Sequence, residues 1–168
     1  MNKSLKNELE STFKDVLASV PEGDRLIITA RKEQVPTILT FLKNKGYNHL
    51  ALISCVDWIE EKEFELVYIL TAYPGKDEFT GREHVILKTR ISRERAEFKT
   101  IIPIFRNAEP YEREIHELFG VNFEGHPRLT HLLLEREYEI PPFRKDFDTR
   151  KYVEEVFDKI PFVEEKEG

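Results

Sequence analysis

The sequence contains few of the residues that thiolate metal sites and phosphate-binding loops use: one cysteine and seven glycines in 168 residues. The single thiol, Cys55, excludes a disulfide within the chain and any iron–sulfur cluster or structural zinc site built from its own cysteines. No Gly-rich phosphate-binding loop occurs. The polar start MNKSLKNELEST has no apolar signal-peptide core, and no apolar run approaches the roughly 20 residues that span a bilayer. We therefore expect a cytoplasmic protein.

The charge balance excludes one class of partner. The chain carries 26 basic and 32 acidic residues, which gives a net charge of −6. Nucleic-acid binding depends on clustered lysine and arginine, so we expect no nucleic-acid partner for this acidic chain. Charged residues make up 35% of the sequence, an enrichment that favours a thermophilic source.

The periodicity of apolar residues predicts an α+β domain over residues 1–106. Helical spacing predicts two helices, marked by Leu5, Leu9, Phe13, Val16 and Leu17 and by Val35, Ile38, Leu39 and Leu42. Because Pro36 fits only a first helical turn, the second helix should begin near Glu33. Apolar or alternating runs predict strands over residues 26–29, 50–56, 64–72 and 85–91, with a turn at 74–77. We expect a small, mostly antiparallel sheet of about four strands covered by the two helices.

Residues 109–119 predict a third helix. Ile115 and Leu118 belong to its apolar face, and Gly120 should end it in the left-handed conformation. Residues one turn apart predict two side-chain pairs, Glu112 with His116 and Arg113 with Glu117. The three leucines at 132–134 are expected to be buried.

Two catalytic interpretations of this helix remain open from the residues alone. Glu112 and His116 could ligate a metal ion in a stand-alone metal-binding enzyme, with His126 or His131 completing the site. Alternatively, one of three carboxylates could act as a general acid or base, namely Glu112, Glu114 or Glu117. No nucleophile or cofactor fingerprint accompanies them. Cys55 lies in an apolar strand, a context that favours a buried structural thiol.

A docking function fits the charge pattern better. Glu112, Arg113, Glu114 and Glu117 combine opposite charges on one helix, and a second charged cluster, Arg144, Lys145 and Asp146, lies between Phe143 and Phe147. Arginine is enriched at protein interfaces because its planar fork binds a carboxylate at two points. The simpler interpretation is a surface laced with salt bridges. We predict a docking segment at 107–150, packed on the α+β domain as an extended and helical region. A charged amphipathic tail, 151–168, then requires a partner surface.

Five motifs resemble a known family in their order and spacing: YERE (111–114), LFG (118–120), FEGHP (123–127), LLL (132–134) and RKDF (144–147). Together they resemble the thirty-kilodalton subunit family of respiratory complex I, which is the C subunit of NADH–quinone oxidoreductase. GYNHL (46–50) and CVDW (55–58) are similar to further elements of that family. The resemblance therefore extends over residues 5–150.

The resemblance implies a non-catalytic subunit of the peripheral arm, with no cofactor bound by this chain and iron–sulfur clusters in partner subunits. It also implies packing against a large subunit related to the catalytic subunit of nickel–iron hydrogenases, next to an iron–sulfur small subunit. Membrane contact would be indirect, at the inner face of the cell membrane. The predicted docking residues are Tyr111, Glu112, Arg113, Glu114, Glu117, His126, Arg144, Lys145, Asp146 and Phe147.

The same subunit type occurs in relatives of complex I. These relatives include membrane-bound hydrogenases, formate hydrogenlyases, sulfur-reducing complexes and ferredoxin- or F420H2-dependent oxidoreductases. Because the electron donor binds other subunits in such complexes, the sequence leaves the donor and the acceptor open.

Overall fold

The structure, a computed structural model, describes residues 2–21, 25–72, 83–134 and 138–156. In chain order its elements are α1 (Asn2–Thr12), β1 (Leu17–Ser19), β2 (Arg25–Thr29), α2 (Val35–Asn44), β3 (His49–Trp58), β4 (Glu63–Ala72), β5 (Glu83–Ser92), β6 (Glu97–Lys99), α3 (Ala108–Phe119), β7 (Asn122–Glu124) and α4 (Thr149–Val156). The predicted α+β class is confirmed. The predicted turn at 74–77 and the part of the tail after Val156 lie outside the described residues. None of the helices in these ranges is long and apolar enough to span a bilayer.

Five strands form one mixed sheet in the order β1-β2-β5-β4-β3. The antiparallel meander of β3, β4 and β5 is confirmed, whereas β2 pairs with β5 in parallel. β1 pairs with β2 and adds a strand to the four expected. Helical spacing through Leu17 was the wrong interpretation there. α1 ends at Thr12, and Asp15 then adopts a positive φ of 61°, which breaks the helical path.

One face of the sheet carries the hydrophobic core. Alternate residues of β4 are buried on it, and α1, α2 and α3 cover it with their apolar sides. The largest fully buried side chains include Tyr47, Tyr68, Phe64, Leu9, Leu26, Ile38, Leu42 and Leu66. A fully buried leucine or isoleucine stabilises the fold by about 1.5–3 kcal/mol relative to an exposed one. The helices therefore stay on the sheet chiefly through this face.

α3 matches its prediction to within one residue. It runs from Ala108 to Phe119, and Gly120 follows with a left-handed φ of 78°. The Gly120 N–H donates to the His116 carbonyl at 2.8 Å, which satisfies one of the last carbonyls of the helix. α3 packs against β3, the edge strand of the sheet. The core therefore fixes the position of α3 and of the segments that follow it.

A second, two-stranded sheet was not predicted. β6 pairs in parallel with β7, and each strand buries one phenylalanine, Phe98 or Phe123. Strands of three residues are too short to display a period of two in the sequence. This small sheet holds the chain before α3 against the chain after it.

Candidate docking surface

Three of the predicted docking residues on α3 are buried within the chain itself. Glu112 is 0% exposed, and Arg113 and Glu117 are also buried, while Tyr111 and Glu114 are partly exposed. The other predicted residues lie at or near the surface: His126, Arg144 and Phe147 are partly exposed, and Lys145 and Asp146 are exposed. On this helix only Tyr111 and Glu114 of the predicted docking residues therefore remain accessible to a partner. The buried charges hold the chain's own loops.

Glu112 fixes the turn that precedes α3. Its Oε2 accepts the Thr100 hydroxyl at 2.6 Å and its Oε1 accepts the Ile101 N–H at 2.8 Å. The Thr100 oxygen in turn accepts the Ile102 N–H at 3.2 Å. Burial raises the pKa of the Glu112 carboxyl to about 7 against the opposing effect of these hydrogen bonds, and the negative charge of Glu109 adds to the increase.

Arg113 reaches across to the segment that follows β7. Its Nε donates to the Thr130 carbonyl at 3.0 Å and its Nη2 donates to the His131 carbonyl at 2.6 Å. Its Nη1 lies 3.5 Å from Glu109 Oε1, one turn earlier on the helix. The predicted pairing of Arg113 with Glu117 was therefore wrong, because each side chain finds a partner in this segment.

Glu117 binds the three consecutive leucines. Its carboxylate accepts the N–H of Leu132 at 2.8 Å, the N–H of Leu133 at 2.9 Å and the N–H of Leu134 at 3.3 Å. Three backbone donors converge on one negative charge, an arrangement that satisfies polar groups which an irregular segment would otherwise leave unpaired. The leucine segment is consequently held against the last turn of α3.

Tyr111 and Asn107 attach α3 to the edge of the main sheet. The Tyr111 hydroxyl donates to the Ala51 carbonyl at 2.9 Å, and the Asn107 amide donates to the Leu50 carbonyl at 2.8 Å. Both carbonyls belong to β3. These contacts satisfy edge carbonyls that would otherwise be free to pair with another strand.

An ion-pair network attaches residues 144–146 to the end of β3. Arg93 donates to both oxygens of Asp57 and, at 2.6 Å, to Asp146 Oδ1. Asp57 also accepts the Lys145 N–H at 2.9 Å. The Arg93 guanidinium lowers the pKa of the Asp146 carboxyl by hydrogen bonding to its charged form. Sequence reasoning missed Arg93, since nothing local marks a residue that acts 36 positions away from Asp57.

Arg144 lies where the end of α3 meets this segment. Its Nε donates to the Phe119 carbonyl at 2.7 Å, and its guanidinium lies 5.2 Å from the centre of the Phe64 ring. Partial burial and the positive charge of Arg93 lower the pKa of Arg144. Gly120 makes room for this side chain, because a Cβ there would lie 2.9 Å from Arg144 Nη2.

Exposed apolar side chains surround the C-terminal end of α3. Leu133 is 64% exposed and Phe143 is 59% exposed, and the burial expected for the leucine segment was wrong for Leu132 and Leu133. Phe143 donates its N–H to the Leu118 carbonyl at 3.0 Å. Its ring packs edge-to-face on Phe119 with the centroids 5.9 Å apart. We refer to Leu132, Leu133, Ile140 and Phe143 as the α3-end patch.

The metal-site interpretation does not fit this geometry. Both Glu112 oxygens accept hydrogen bonds inside the fold, His116 Nδ1 lies 2.9 Å from the Val121 carbonyl, and His126 Nε2 lies 3.3 Å from the Glu109 carbonyl. Over the described ranges, no three His, Cys, Asp or Glu side chains come together as a metal ion would need. Burial raises the pKa of the Cys55 thiol to about 12, as expected for a structural cysteine.

A family match and two similar proteins all indicate the same family for this chain. Residues 28–153 match the family described as respiratory-chain NADH dehydrogenase, 30 Kd subunit. The C subunit of NADH-quinone oxidoreductase from Moorella thermoacetica is 34% identical over 142 residues, which cover 83% of this chain and 90% of that protein. The C/D subunit of NADH-quinone oxidoreductase from Bdellovibrio bacteriovorus is 35% identical over 124 residues, which cover 73% of this chain and 21% of that protein.

A solved structure with the same fold comes from a different complex. A chain of the membrane-bound sulfane sulfur reductase, an archaeal respiratory membrane complex, superposes with a TM-score of 0.82. It is 29% identical in sequence, and the match covers 99% of this chain and 97% of that chain. The match therefore includes the segments that carry the α3-end patch in this chain.

Proposed function

Because the chain belongs to the family of the 30 Kd subunit of respiratory-chain NADH dehydrogenase, we propose that it is a scaffold subunit of a complex I-type, membrane-associated oxidoreductase. In this role it docks a hydrogenase-like large subunit next to an iron–sulfur small subunit, and it contributes no redox centre itself. It lies in the peripheral arm, at the cytoplasmic face of the membrane. Electron transfer slows steeply with distance, so a protein that keeps two redox partners in register supports the reaction without taking part in its chemistry.

The observation that carries this proposal is the α3-end patch. Four large apolar side chains are exposed around one helix end, on segments fixed by Glu117, Arg93 and the Leu118 carbonyl. Exposed apolar side chains grouped on segments that hydrogen bonds hold in place are typical of protein–protein interfaces. The charged residues nearby give such an interface a polar surround. Since the supporting loops are already held in place, docking needs little additional ordering of the chain.

The relatives supply support for the identity of the partner. The Bdellovibrio bacteriovorus protein bears a double name, C/D, and its matching part is about a fifth of its length. A C-type protein that shares one chain with a D-type protein in one organism favours direct contact between the corresponding separate chains elsewhere. We propose that a protein of the D type is the hydrogenase-like large subunit that the α3-end patch docks.

The particular complex is a choice among three types. The Moorella thermoacetica relative favours electron input from NADH and transfer to quinone, whereas the sulfane sulfur reductase chain favours a sulfur compound as acceptor. A membrane-bound hydrogenase or a formate hydrogenlyase is a further member of the same group. The large subunit that co-purifies separates the hydrogenase type from the quinone- and sulfur-reducing types, because nickel-ligating cysteines are present only in its hydrogenase form.

The proposal is tested by affinity purification of the tagged chain from gently solubilised native membranes, with every co-purifying subunit identified by mass spectrometry. We expect a hydrogenase-like large subunit and an iron–sulfur small subunit. Leu133→Asp combined with Phe143→Asp should reduce their recovery at least tenfold, because the docked patch would then bury two charges. Recovery of the wild-type chain alone at low salt would contradict the proposed function.

Leu17→Asp serves as the matched control. Leu17 is 73% exposed, so the substitution adds a charge at an exposed leucine without disturbing the core. It lies in β1, at the edge of the main sheet opposite to β3. Unchanged recovery with Leu17→Asp, together with loss on substituting the α3-end patch, would assign docking to this patch. Equal loss from both would point to general destabilisation instead.

A further inference from the structure

Arg144 has donors that the described part of the chain leaves unused. Its Nε donates to the Phe119 carbonyl, and one side of its guanidinium lies near the Phe64 ring. No described acid forms an ion pair with it, and neither of its two Nη atoms donates to an acceptor in the described chain. A guanidinium presents five donors in a rigid fork that matches a carboxylate. A partly buried arginine with most of these donors unused can therefore bind a negatively charged group.

The two carboxylates near Arg144, those of Asp57 and Asp146, already have other partners. Asp57 is 3% exposed and accepts two bonds from Arg93 and one from the Lys145 N–H. Asp146 also binds Arg93, at 2.6 Å. One arginine thus satisfies both aspartates, while Arg144 and the exposed Lys145 leave the cluster with an excess of positive charge. Arg93 itself adds to the repulsion that Arg144 experiences.

The surroundings of Arg144 strengthen any ion pair made there. Phe143 of the α3-end patch precedes it in the chain, and the Phe64 ring lies nearby. Pro141 is close as well, since a Cβ added at Gly120 would lie 3.1 Å from Pro141 Cγ and 2.9 Å from Arg144 Nη2. When a partner covers Phe143 and Pro141, water is removed from the guanidinium and its attraction for a carboxylate increases. An unpaired arginine would oppose docking, because burying it without a counter-charge is costly. An acid opposite Arg144 would remove this cost of docking on the patch.

We propose that the Arg144 guanidinium is the charged anchor of the α3-end patch and binds the side-chain carboxylate of an aspartate or glutamate on the docked partner subunit. This inference rests on the proposed function and specifies the chemistry of the partner at one point. The partner surface combines apolar side chains, which cover Leu133 and Phe143, with one acid placed to receive two parallel N–H donors from Arg144. Arginine and carboxylate together fix the orientation of docking as well as its strength.

The test uses the intact complex and a zero-length cross-linker. In Arg144→Lys the positive charge is kept and a reactive amine replaces the fork, so a carbodiimide should join this amine to the facing carboxylate. Mass spectrometry of the cross-linked peptides then identifies the partner acid. In parallel, Arg144→Glu places two negative charges opposite each other and should weaken retention of the partner about 30-fold or more. Arg106→Glu is the matched control, since Arg106 is exposed and precedes the opposite end of α3.

The outcomes separate this inference from the proposed function. Support requires a cross-link from position 144 to an acid of the partner, loss of partner with Arg144→Glu, and recovery when that acid is changed to arginine. Recovery in the double charge swap also excludes misfolding of Arg144→Glu. Three results overturn the inference while leaving the scaffold function intact: full retention with Arg144→Glu, a cross-link to Asp57 or Asp146, or no cross-link at all. A wild-type chain that carries no partner would instead overturn the scaffold function.

Discussion

Arg93 and Asp57 form a two-point ion pair, with Arg93 Nε 2.9 Å from Asp57 Oδ1 and Arg93 Nη2 3.2 Å from Asp57 Oδ2. The same Nη2 reaches Asp146, so one guanidinium connects the end of β3 to the segment that carries Arg144. Asp57 is nearly inaccessible to solvent. This bridge attaches residues 144–146 to the main sheet, so the loss of Arg93 should affect both the end of β3 and that segment.

Arg93→Ala should strongly destabilise the fold. It leaves the buried Asp57 carboxylate without its ion pair, and breaking a buried pair of this kind costs about 3–5 kcal/mol. The free energy of unfolding is measured by denaturant titration. Arg31→Ala is the control, because Arg31 and Asp15 form an ion pair 3.2 Å apart at the exposed surface, and its loss should cost about 1 kcal/mol or less. Equal effects of the two substitutions would refute the structural importance of the Arg93 bridge.

Glu112→Gln should remove a pH dependence of stability. The pKa of the folded Glu112 carboxyl is raised to about 7 from 4.5, so below about pH 4.5 it is protonated in both states and no penalty arises. Between about pH 4.5 and about pH 7 the carboxyl is ionised in the unfolded state but still protonated in the folded state. The free energy of unfolding therefore falls over this range, by up to about 3 kcal/mol in total. The amide of Gln can still accept the Ile101 N–H.

The measurement compares unfolding free energies of wild type and Glu112→Gln at pH 5 and pH 8. The difference between the two proteins should shift in favour of the variant at pH 8. Glu114→Gln, on the same helix and partly exposed, provides the control and should leave the slope of the wild type nearly unchanged. A constant difference between wild type and Glu112→Gln at both pH values would argue against a raised pKa.

Glu117→Gln should release the leucine segment without unfolding the chain. The substitution replaces a carboxylate that accepts the N–H groups of Leu132, Leu133 and Leu134 by an amide with one acceptor oxygen. Hydrogen bonds to charged groups contribute about 1.5–3 kcal/mol, so local opening should become about tenfold or more frequent. Trypsin cleavage after the exposed Arg128 reports this opening. With Glu114→Gln on the same helix, cleavage should proceed at the wild-type rate; equal acceleration would refute the role of Glu117.

Gly120→Ala and Gly46→Ala separate backbone strain from crowding. Both glycines have positive φ, 78° and 99°, so both substitutions incur the penalty of about 1–2 kcal/mol for a left-handed non-glycine residue. At Gly46 no atom lies within 4 Å of the added Cβ, whereas at Gly120 it meets Arg144 Nη2 at 2.9 Å and Pro141 Cγ at 3.1 Å. Gly120→Ala should therefore lower the free energy of unfolding more, and it should also weaken partner retention. Equal losses in the free energy of unfolding for the two variants would mean that Arg144 moves away from the added Cβ without cost.

Local patterns predicted the elements in which a long run of residues repeats one period. The β3-β4-β5 meander and α3 were correct because ten or more residues repeat one pattern, and Gly120 ended the helix where a left-handed residue was needed. The sequence did not predict β1, β6 and β7, because a strand of three residues is too short to show a period. The family followed from spaced motifs. The ten docking residues remain a prediction, and three of them are buried in the chain's own interior.

The sequence by itself determined the class of fold, the position and end of α3, the impossibility of a disulfide within this chain, and the family. Only the tertiary structure decided how the charges are used. Glu112, Arg113 and Glu117 were equivalent in the sequence to surface acids and bases, yet their helical positions turn them towards loops that need hydrogen-bond acceptors and donors. Arg93 binds both Asp57 and Asp146, so the Nη atoms of Arg144 are left without a carboxylate partner among the described residues. Such partnerships join residues far apart in the chain, and local propensity carries no information about them.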